Sequence, residues 1–499
     1  MSMSWTHHLP VLQVILPLLG APLCMLTRSS RLNWLITVVI SWSALIISIL
    51  LARQVWVHGP ITYNMGGWCA PWGITYHIDA LNAFVLLIVT SIAALVAPYA
   101  RKSVQKEVEA HRQAVFYALL LLCQAGLLGI VITGDAFNMY VFLELSSLSS
   151  YALIGIGRRR RGLTAAFQYL IMGTIGATFI LIGIGLLYNL TGTLNILDLA
   201  EQLNRHNLIT TGNRTLITAF AFLTVGLSLK LALFPLHLWL PNAYSYAPSV
   251  VTIFLAATAT KVAVYMLLRF CFTILGHGAL FQMTLGKIVL LPSLCAIFIG
   301  SIVAIFQYDI KRMLAYSSIA QIGYMTLGIT MATPLGLTAG IVHLFNHALM
   351  KGLLFMTMGA VIYRVDSVYL SDFRGLGKRM PWTMAAFVVG GLSLMGVPLT
   401  AGFISKWYLV QSALECGWWP VAGLILIGSL LAVIYVWRVV ETAYFNPDHE
   451  LEQRSHEAPL SLLIPMWILV LANIYFGINS DLPLSMASRA AHLLLGVAV

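Results

Sequence analysis

The stretch GLSLKLALFPLHLWLPNAY (residues 226–244) is almost entirely apolar, yet it contains one lysine, Lys230, and a proline near its middle, Pro235. A proline inside a helix removes one backbone hydrogen bond and clashes with the carbonyl four residues earlier, here that of Leu231. At membrane depth a carbonyl freed in this way is tolerated only where protein or a water-filled cavity satisfies it. The stretch therefore predicts a broken membrane helix with a buried charge beside the break.

A second stretch, SLMGVPLTAGFISKW (residues 393–407), has the same combination of a proline, Pro398, and a lysine, Lys406. Here the proline would free the carbonyl of Leu394. The two stretches fall in the seventh and twelfth apolar spans along the chain, and these two spans cross the membrane in opposite directions. Interrupted helices at corresponding places in the two halves of a chain indicate an inverted repeat. The alternative is that these are two unrelated kinks.

The composition sets the class of protein. Of the 499 residues, 60% are apolar and only 9% are charged, whereas soluble chains carry about 25% charged residues. Apolar stretches long enough to cross a hydrocarbon core of about 30 Å recur along nearly the whole chain. The sequence is that of an all-α integral membrane protein, without a removable signal peptide. Its six cysteines lack any C-x-x-C spacing, which argues against disulfide frameworks, iron–sulfur clusters and cysteine-based zinc sites.

Apolar windows predict about fourteen membrane helices. Their spans are 9–26, 32–52, 78–99, 114–133, 136–157, 163–190, 215–240, 248–271, 285–307, 313–332, 335–363, 383–410, 420–440 and 459–480. We divide them into an N-terminal three-helix region, two inverted five-helix repeats and a C-terminal helix region, at 1–113, 114–271, 285–440 and 441–499. Between spans six and seven, NILDLAEQLNRHNL (195–208) predicts a short amphipathic helix on the outer face, and the short segment 484–497 is placed at the surface.

The net charge of +11 reflects where the membrane loops lie. The basic residues cluster in alternate loops, which the positive-inside rule places in the cytoplasm. These clusters are Arg101, Lys102, Lys106 and Arg112; Arg158 to Arg161; Lys311 and Arg312; and Arg364, Arg374, Lys378 and Arg379. This arrangement predicts a plasma-membrane protein with its N-terminus outside. Nucleic-acid binding is not indicated, because no basic face is interleaved with aromatic residues.

Few ionisable residues lie deep inside the predicted spans, away from their ends, and each is a candidate functional residue because a charge at mid-bilayer costs several kcal/mol. They are Glu144, Lys230, His237, Lys261, His343, His347, Lys351 and Lys406. Lys230 and His237 are seven residues apart and would share a helix face if Pro235 did not rotate the second part.

Glu144 is the one acidic residue within its span and requires a buried cation, for which Lys230 is the candidate. While the carboxylate is ionised and near, Lys230 keeps its proton; when the two are separated, desolvation makes the ammonium release it. Such a pair is a proton gate. The alternative is a static ion pair that fixes helix packing, although buried pairs seldom stabilise more than apolar packing does.

His343, His347 and Lys351 are spaced i, i+4 and i+8 and form one polar stripe. The stripe suits a proton relay, with helix–helix hydrogen bonds or a two-histidine metal site as alternatives. The metal site is disfavoured because H-L-F-N-H lacks the glutamate of H-E-x-x-H and no third ligand is evident. Lys261 follows Thr258 and Thr260, whose hydroxyls could hydrogen-bond its ammonium. It is a candidate intermediate proton carrier between Lys230 and the second half of the chain.

Four phrases together resemble one known family: GDAFNMYVFLELSSLSSYAL around Glu144, GLSLKLALFPLHLWLPNAY around Lys230, HLFNHALMKGLLF from His343 and GVPLTAGFISKW ending beyond Lys406. The family is that of the proton-translocating, antiporter-like membrane subunits of respiratory complex I, membrane-bound hydrogenases and Mrp-type cation/proton antiporters. The phrase LTGTLNILDLA (190–200) and Lys406 are most similar to the D-subunit branch of the Mrp antiporters.

The resemblance implies a fourteen-helix core of two inverted five-helix repeats around a central hydrophilic axis. On that axis Glu144 and Lys230 would form the gating pair, and Lys261 and His343 would connect the two halves. At Lys406 the axis would open to one side of the membrane. The implied function is that of a Na⁺/H⁺ antiporter subunit inside a larger membrane complex, without catalytic chemistry, metal or cofactor of its own. Alternatives are a redox-driven proton pump of the complex I or hydrogenase type, an organic-solute transporter and a non-transporting scaffold.

Overall fold

A computed structural model describes residues 5–27, 29–209, 213–276, 286–446 and 456–497. Within these residues the chain forms twenty α-helices in the following order: α1 Leu9–Leu26, α2 Ser30–His58, α3 Ala80–Glu107, α4 Gln113–Ile132, α5 Ala136–Gly155, α6 Arg161–Thr191, α7 Ile196–Arg205, α8 Arg214–Leu231, α9 Trp239–Tyr246, α10 Ser249–Ala257, α11 Ala259–Leu268, α12 Gly286–Ile305, α13 Ile310–Thr330, α14 Pro334–Val365, α15 Leu376–Arg379, α16 Pro381–Met395, α17 Ala401–Glu415, α18 Trp419–Phe445, α19 Leu460–Ile478 and α20 Asp481–Leu495.

The helices confirm an all-α integral membrane protein. In the described ranges, eleven helical stretches are long and apolar enough to cross a membrane. They correspond to predicted spans 1 to 4, 6 to 9, 11, 13 and 14. Spans five and ten are present as α5 and α13, which carry more polar side chains, and span twelve is divided into two helices. The count of about fourteen and the inverted relation of the two halves stay predictions.

Spans seven and twelve are both broken, as predicted, although neither Pro235 nor Pro398 lies inside a helix. In the first break, α8 ends at Leu231, Ala232 adopts a left-handed conformation with φ of 61°, and α9 begins only at Trp239. The indole of Trp239 donates to the carbonyl of Leu229 at 2.9 Å. The broken helix predicted around Pro235 is therefore confirmed, although the chain leaves the helix before it reaches the proline.

The second break has the same form. Helix α16 ends at Met395, Gly396 takes a left-handed φ of 87°, and α17 begins at Ala401. Pro398 lies in the connecting segment, where its missing amide hydrogen costs no helical hydrogen bond. The chain thus presents unpaired carbonyls at the end of α16, and a side chain from α17 satisfies them.

A third break, which the sequence did not predict, divides span eight. Helix α10 ends at Ala257, Thr258 has non-helical angles of φ −126° and ψ −56°, and α11 begins at Ala259. Helix α11 continues into one turn of π-helix at Arg269–Ile274. Lys261 therefore lies in the first turn after a helix break, which is where transporters place their ion-handling groups.

Helix α14 is the centre of the bundle. It contacts α3, α10, α13, α16, α17, α19 and α20, and its buried positions extend from Gly336 to Ile362. The polar stripe of His343, His347 and Lys351 is thus enclosed by protein on every side. Such side chains are retained inside a membrane bundle only where neighbouring helices or water can meet their hydrogen-bonding needs.

Three smaller elements complete the fold. The predicted amphipathic helix is confirmed as α7, which buries Ile196, Leu199 and Leu203. Helix α20 packs one face on α3 and α14 and leaves Leu482 exposed, so segment 484–497 is attached to the bundle, while its depth in the membrane stays a prediction. A hairpin that the sequence did not predict, β1 (Ile61–Asn64) with β2 (Thr75–Ile78), connects α2 to α3 in antiparallel register.

The second helix break requires a glycine at position 402. A Cβ atom there would lie 1.8 Å from the carbonyl oxygen of Ser393 on α16. We expect Gly402→Ala to lower the free energy of unfolding by about 2 kcal/mol or more, because backbone atoms must move apart to admit the methyl group. The measurement is thermal unfolding of the detergent-purified protein.

The matched control is Gly423→Ala in α18, where an added Cβ meets no atom within 4 Å. This substitution should be neutral or slightly stabilising, because alanine favours helix more than glycine does. Equal stability of the two variants would contradict the close approach of α16 and α17.

Candidate proton-path site

The structure brings Glu144 and Lys230 together. Oε1 of Glu144 lies 3.8 Å from Nζ of Lys230, and the side chains are 25% and 3% exposed. Nζ also donates to the hydroxyl oxygens of Ser147 at 2.8 Å and Tyr151 at 3.4 Å. Because Glu144, Ser147 and Tyr151 follow one face of α5, Lys230 lies along that face with three oxygen partners. The contact with the carboxylate is the longest of the three, and Oε1 of Glu144 forms no hydrogen bond in the described chain.

Glu144 also marks an outer face of the bundle. Its neighbours along the same side of α5 are Phe137, Val141 and Leu148, which are 45%, 46% and 56% exposed. An ionised carboxylate beside such an apolar surface is costly in a membrane. Movement or covering of this face would therefore change the strength of the pair with Lys230.

A small cavity adjoins Lys230 on its other side. Its volume is about 30 Å³, which is room for one or two waters. Four helices besides α8, namely α4, α5, α6 and α11, line it with Leu127, Ile130, Leu143, Ser146, Ser147, Ser150, Tyr169, Ala259, Val262 and Ala263. Since the last three belong to α11, the cavity leads from the gating pair to the helix that carries Lys261.

Lys261 is completely buried at the third helix break. Its ammonium donates to the carbonyl of Ala256, which the break leaves without a helical partner, and lies 3.4 Å from the hydroxyl of Thr260. The predicted second hydroxyl, that of Thr258, instead donates to the carbonyl of Phe254 at 2.6 Å. Lys261 thus donates to one backbone oxygen and one hydroxyl, and it has no carboxylate partner among the described residues.

The two histidines of α14 lie parallel, with ring centroids 6.2 Å apart. His343 is fully bonded, through Nδ1 to the hydroxyl of Ser405 at 2.8 Å and through Nε2 to Oε1 of Gln321 at 3.1 Å. Both ring nitrogens of His347 are buried without a hydrogen-bond partner in the described chain. Unpaired nitrogens at full burial require a transient partner such as water, so His347 is the position at which the chain of hydrogen bonds is interrupted.

The remaining lysines each satisfy backbone oxygens. Lys351 donates to the carbonyl of Leu314 at 2.7 Å and to the hydroxyl of Ser317. Lys406 donates to the carbonyls of Leu394 at 2.9 Å and Met395 at 3.1 Å, which are the oxygens released by the second break. The carbonyl of Leu394 is the one that the sequence predicts Pro398 to free.

These groups form one series across the protein. Lys261 is near enough to His343, His347 and Lys351 for direct electrostatic interaction, and Lys406 acts on His343 in the same way. With the small cavity between Lys230 and α11, titratable groups follow one another from Glu144 to Lys406. The series can carry protons if water enters at the cavity and beside His347.

His237 lies in the segment between α8 and α9, and its place on the proton path stays a prediction. The chain from Ala232 to Leu238 is not helical, so the condition for a helix face shared with Lys230 is not met. The ring of His237 stacks on Phe234, and its Nδ1 has no hydrogen-bond partner in the part of the chain that the structure describes.

Three charged residues with buried positions escaped the sequence-based prediction. Lys311, interpreted as a loop anchor, is 2% exposed and donates to the carbonyl of Ala247 at 2.9 Å, where α9 ends. Asp79 and Arg269 form an ion pair of 2.6 Å that is almost completely enclosed. Their positions at the ends of predicted spans gave no sign of burial. A metal centre is not supported by the described ranges, which contain no group of three or more His, Cys, Asp or Glu side chains placed to hold an ion.

Comparison with known proteins decides the family. Residues 133–432 match the family described as NADH:quinone oxidoreductase/Mrp antiporter, TM. The chain belongs to this family. It is 40% identical to the N subunit of the NADH-quinone oxidoreductase of Desulforudis audaxviator, over 95% of this chain and 97% of that one. It is 31% identical to the D subunit of the Na⁺/H⁺ antiporter of Bacillus subtilis, over 98% and 97%.

The fold agrees with this membership. A chain in the Mrp complex from Dietzia sp. DQ12-45-1b superposes with a TM-score of 0.89 at 25% identity, covering 99% of this chain and 98% of that one. The matched family region contains Glu144 and all the lysines and histidines of the proposed path. The resemblance inferred from four short phrases is thus confirmed over the full length.

Proposed function

We propose that this chain is the proton-translocating subunit of a multisubunit Na⁺/H⁺ antiporter, in which protons pass through Glu144, Lys230, Lys261, His343, His347, Lys351 and Lys406. One observation carries the proposal: buried titratable groups follow one another through the bundle, while the cavity beside Lys230 is of water size. The cavity beside Lys230 is too small for an organic solute, which needs a pocket of about 300 Å³ or more. A scaffold would have no reason to retain so many costly buried charges.

The gate operates through the loose contact between Glu144 and Lys230. At 3.8 Å, and with the carboxylate one-quarter exposed, a small shift of α5 or of its surroundings weakens the pair. Lys230 then passes a proton towards α11 through water in the small cavity, and return of the carboxylate favours reprotonation. A proton can pass from Lys261 through His347 to His343 only when a water bonds to the His347 ring. Entry of that water is therefore a second point at which proton transfer is controlled.

A partner protein of the complex is the natural cover for the outer face of α5. The chain by itself leaves the gating carboxylate beside exposed apolar side chains, and relatives named as antiporter subunits support a hetero-oligomeric complex. We further propose a plasma-membrane location with the N-terminus outside, because the exposed basic residues Arg158 to Arg161 then face the cytoplasm with the other basic loops. The chain has no bond-making chemistry or cofactor of its own in this proposal.

A redox-driven proton pump is the second candidate. It is favoured by the 40% identity to a relative named as the N subunit of an NADH-quinone oxidoreductase. The same proton path would serve an antiporter complex and a redox-driven complex, since the two differ in the source of energy that drives the protons.

The test expresses the whole operon in an antiporter-deficient host and measures ΔpH in everted membrane vesicles. We expect addition of Na⁺ to collapse ΔpH, with K⁺ and Li⁺ as comparison cations. Vesicles without the operon are the control. Vesicles that contain the complex, respond to no cation and instead acidify only during electron transfer would overturn the antiporter proposal in favour of the redox-driven pump.

A further inference from the structure

A second polar stripe begins at Lys261 and leads away from the path described above. Lys261, Tyr265 and Arg269 are spaced i, i+4 and i+8 along α11 and its π-helical continuation, and all are buried. They therefore lie on one side of the element, over a rise of about 12 Å. Single π-helical turns occur frequently at functional sites.

The hydroxyl of Tyr265 is the middle member of this stripe. It donates to the carbonyl of Val131 at 3.0 Å and accepts from Nδ2 of Asn82 at 2.9 Å and from Nε of Arg269 at 3.2 Å. A hydroxyl can both give and accept a proton, whereas a guanidinium cannot be deprotonated in proteins. Tyr265 is thus a possible carrier, and Arg269 is a fixed charge that orients it.

Arg269 is held in turn by the start of α3. Its Nη2 contacts Oδ1 of Asp79 at 2.6 Å and also donates to Asn82, and its Nη1 contacts the hydroxyl of Thr273 at 3.3 Å. Asp79 is the N-cap of α3 and accepts from the backbone amide of Leu81 at 2.9 Å. The pair is neutral as a unit and fixes the network in place.

A large pocket opens beside this network. Its volume is about 410 Å³, far above the 30 Å³ of the cavity at Lys230, so it has room for many waters. Polar residues that converge on it are His77, Asp79, Asn82, Thr133, Tyr265, Arg269 and Thr273. His77 belongs to the hairpin strand β2 and is only partly buried, and its Nδ1 lies 3.4 Å from the hydroxyl of exposed Thr62.

We propose that this pocket is a second mouth of the proton path, connected to Lys261 through the hydroxyl of Tyr265. The inference rests on the proposed proton-translocating function. In one transfer, the hydroxyl proton of Tyr265 passes to a pocket water, and a proton from the ammonium of Lys261 replaces it. Lys261 becomes neutral, and the released proton moves through water to the imidazole of His77 and then to the solution on the hairpin side.

The state of His77 suits this role. Burial lowers the pKa of its imidazole; the nearby carboxylate of Asp79 raises that pKa, and Arg269 lowers it. The net direction is downward, so the ring is neutral at neutral pH and takes up a proton at a lower pH than an ordinary histidine does. A neutral imidazole at the rim can accept a proton that arrives from inside.

The experiment compares Tyr265→Phe with Tyr99→Phe in the complete complex, using the same vesicle assay. Tyr99 is a matched control because it is also fully buried, and its hydroxyl donates to a backbone carbonyl, that of Met356, at 2.9 Å. We expect Tyr265→Phe to slow transport about a hundredfold or more through loss of a proton-relay group, with normal assembly. Tyr99→Phe should stay within about twofold of wild type.

A second variant, His77→Gln, keeps the test decisive should Tyr265→Phe fail to assemble. At constant ΔpH, wild-type transport should slow as the hairpin-side solution is acidified below the ordinary histidine range, because His77 is then already protonated. The slowing should be absent in His77→Gln.

The outcomes separate the two proposals when Lys230→Ala is measured alongside. Wild-type rates in Tyr265→Phe and an unchanged pH profile in His77→Gln, with Lys230→Ala inactive, would overturn the second mouth and leave the proposed function standing. The Asp79–Arg269 pair would then only link α3 to α11. Full exchange in Lys230→Ala would remove Lys230 from the path, whereas wild-type vesicles that contain the complex and respond to no cation would overturn the proposed function itself.

Discussion

Replacement of Lys230 by alanine is expected to abolish cation-dependent proton transport while the protein remains in the membrane. The substitution removes the ammonium that contacts Glu144, Ser147 and Tyr151 and leaves an opening beside the small water-sized cavity. Loss of a positioned proton donor slows a reaction by about a hundredfold or more, which brings exchange to background. Exchange is measured as the collapse of ΔpH on Na⁺ addition in everted vesicles.

The control is Lys102→Ala, which removes an exposed lysine from a predicted cytoplasmic loop. Its exchange should equal that of wild type, so that general effects of lysine removal are excluded. Membrane levels of both variants are determined by immunoblot. Full exchange in Lys230→Ala, at wild-type protein level, would show that Lys230 carries no proton.

Lys406→Met is expected to have the second-largest effect, on both transport and stability. The ammonium of Lys406 satisfies the carbonyls of Leu394 and Met395 at the break between α16 and α17. Methionine preserves much of the volume but leaves both oxygens without their donor, and each unsatisfied buried group costs about 1–3 kcal/mol. We expect lower thermal stability of the purified protein and loss of transport per assembled complex.

Lys406→Arg separates the two effects. Arginine donates to carbonyls as lysine does, but it cannot release a proton. Stability should therefore be largely restored while transport stays lost. If Lys406→Met transported protons at the wild-type rate, the path would not include position 406.

Sequence reasoning found the two helix breaks that a proline marks and missed the third break, at Thr258, which has no proline. Pro235 and Pro398 are visible in any reading of the chain, since each removes a backbone donor inside an apolar run. The segment around Thr258 contains no proline or glycine. Its break depends on tertiary structure, with the ammonium of Lys261 satisfying the carbonyl of Ala256.

The site was predictable where a charge interrupts an apolar span. Glu144, Lys261 and Lys406 stand out in this way, because a buried charge is rare and expensive. Lys311 does not stand out, since it follows Asp309 and precedes Arg312 in what reads as a basic loop. Only the packing of α13 against the end of α9 shows that it is buried.

Spacing arguments succeeded only within continuous helices. His343, His347 and Lys351 share one face of α14 because the helix is unbroken from Pro334 to Val365. The same reasoning failed for His237, which lies beyond the end of α8. The ion pair of Asp79 with Arg269 could not be predicted from the sequence, because the two residues come from distant parts of the chain and lie at the ends of predicted spans.

The central claim is that the charge state of Lys230 changes during transport, and Lys230→Arg tests it most directly. Arginine retains the positive charge and can pair with Glu144, yet it cannot give up a proton. The measurement is Na⁺-dependent collapse of ΔpH in vesicles whose content of assembled complex matches wild type. We predict assembly without exchange; exchange near the wild-type rate would mean that the pair is a static link between α5 and α8 and would contradict the proton gate.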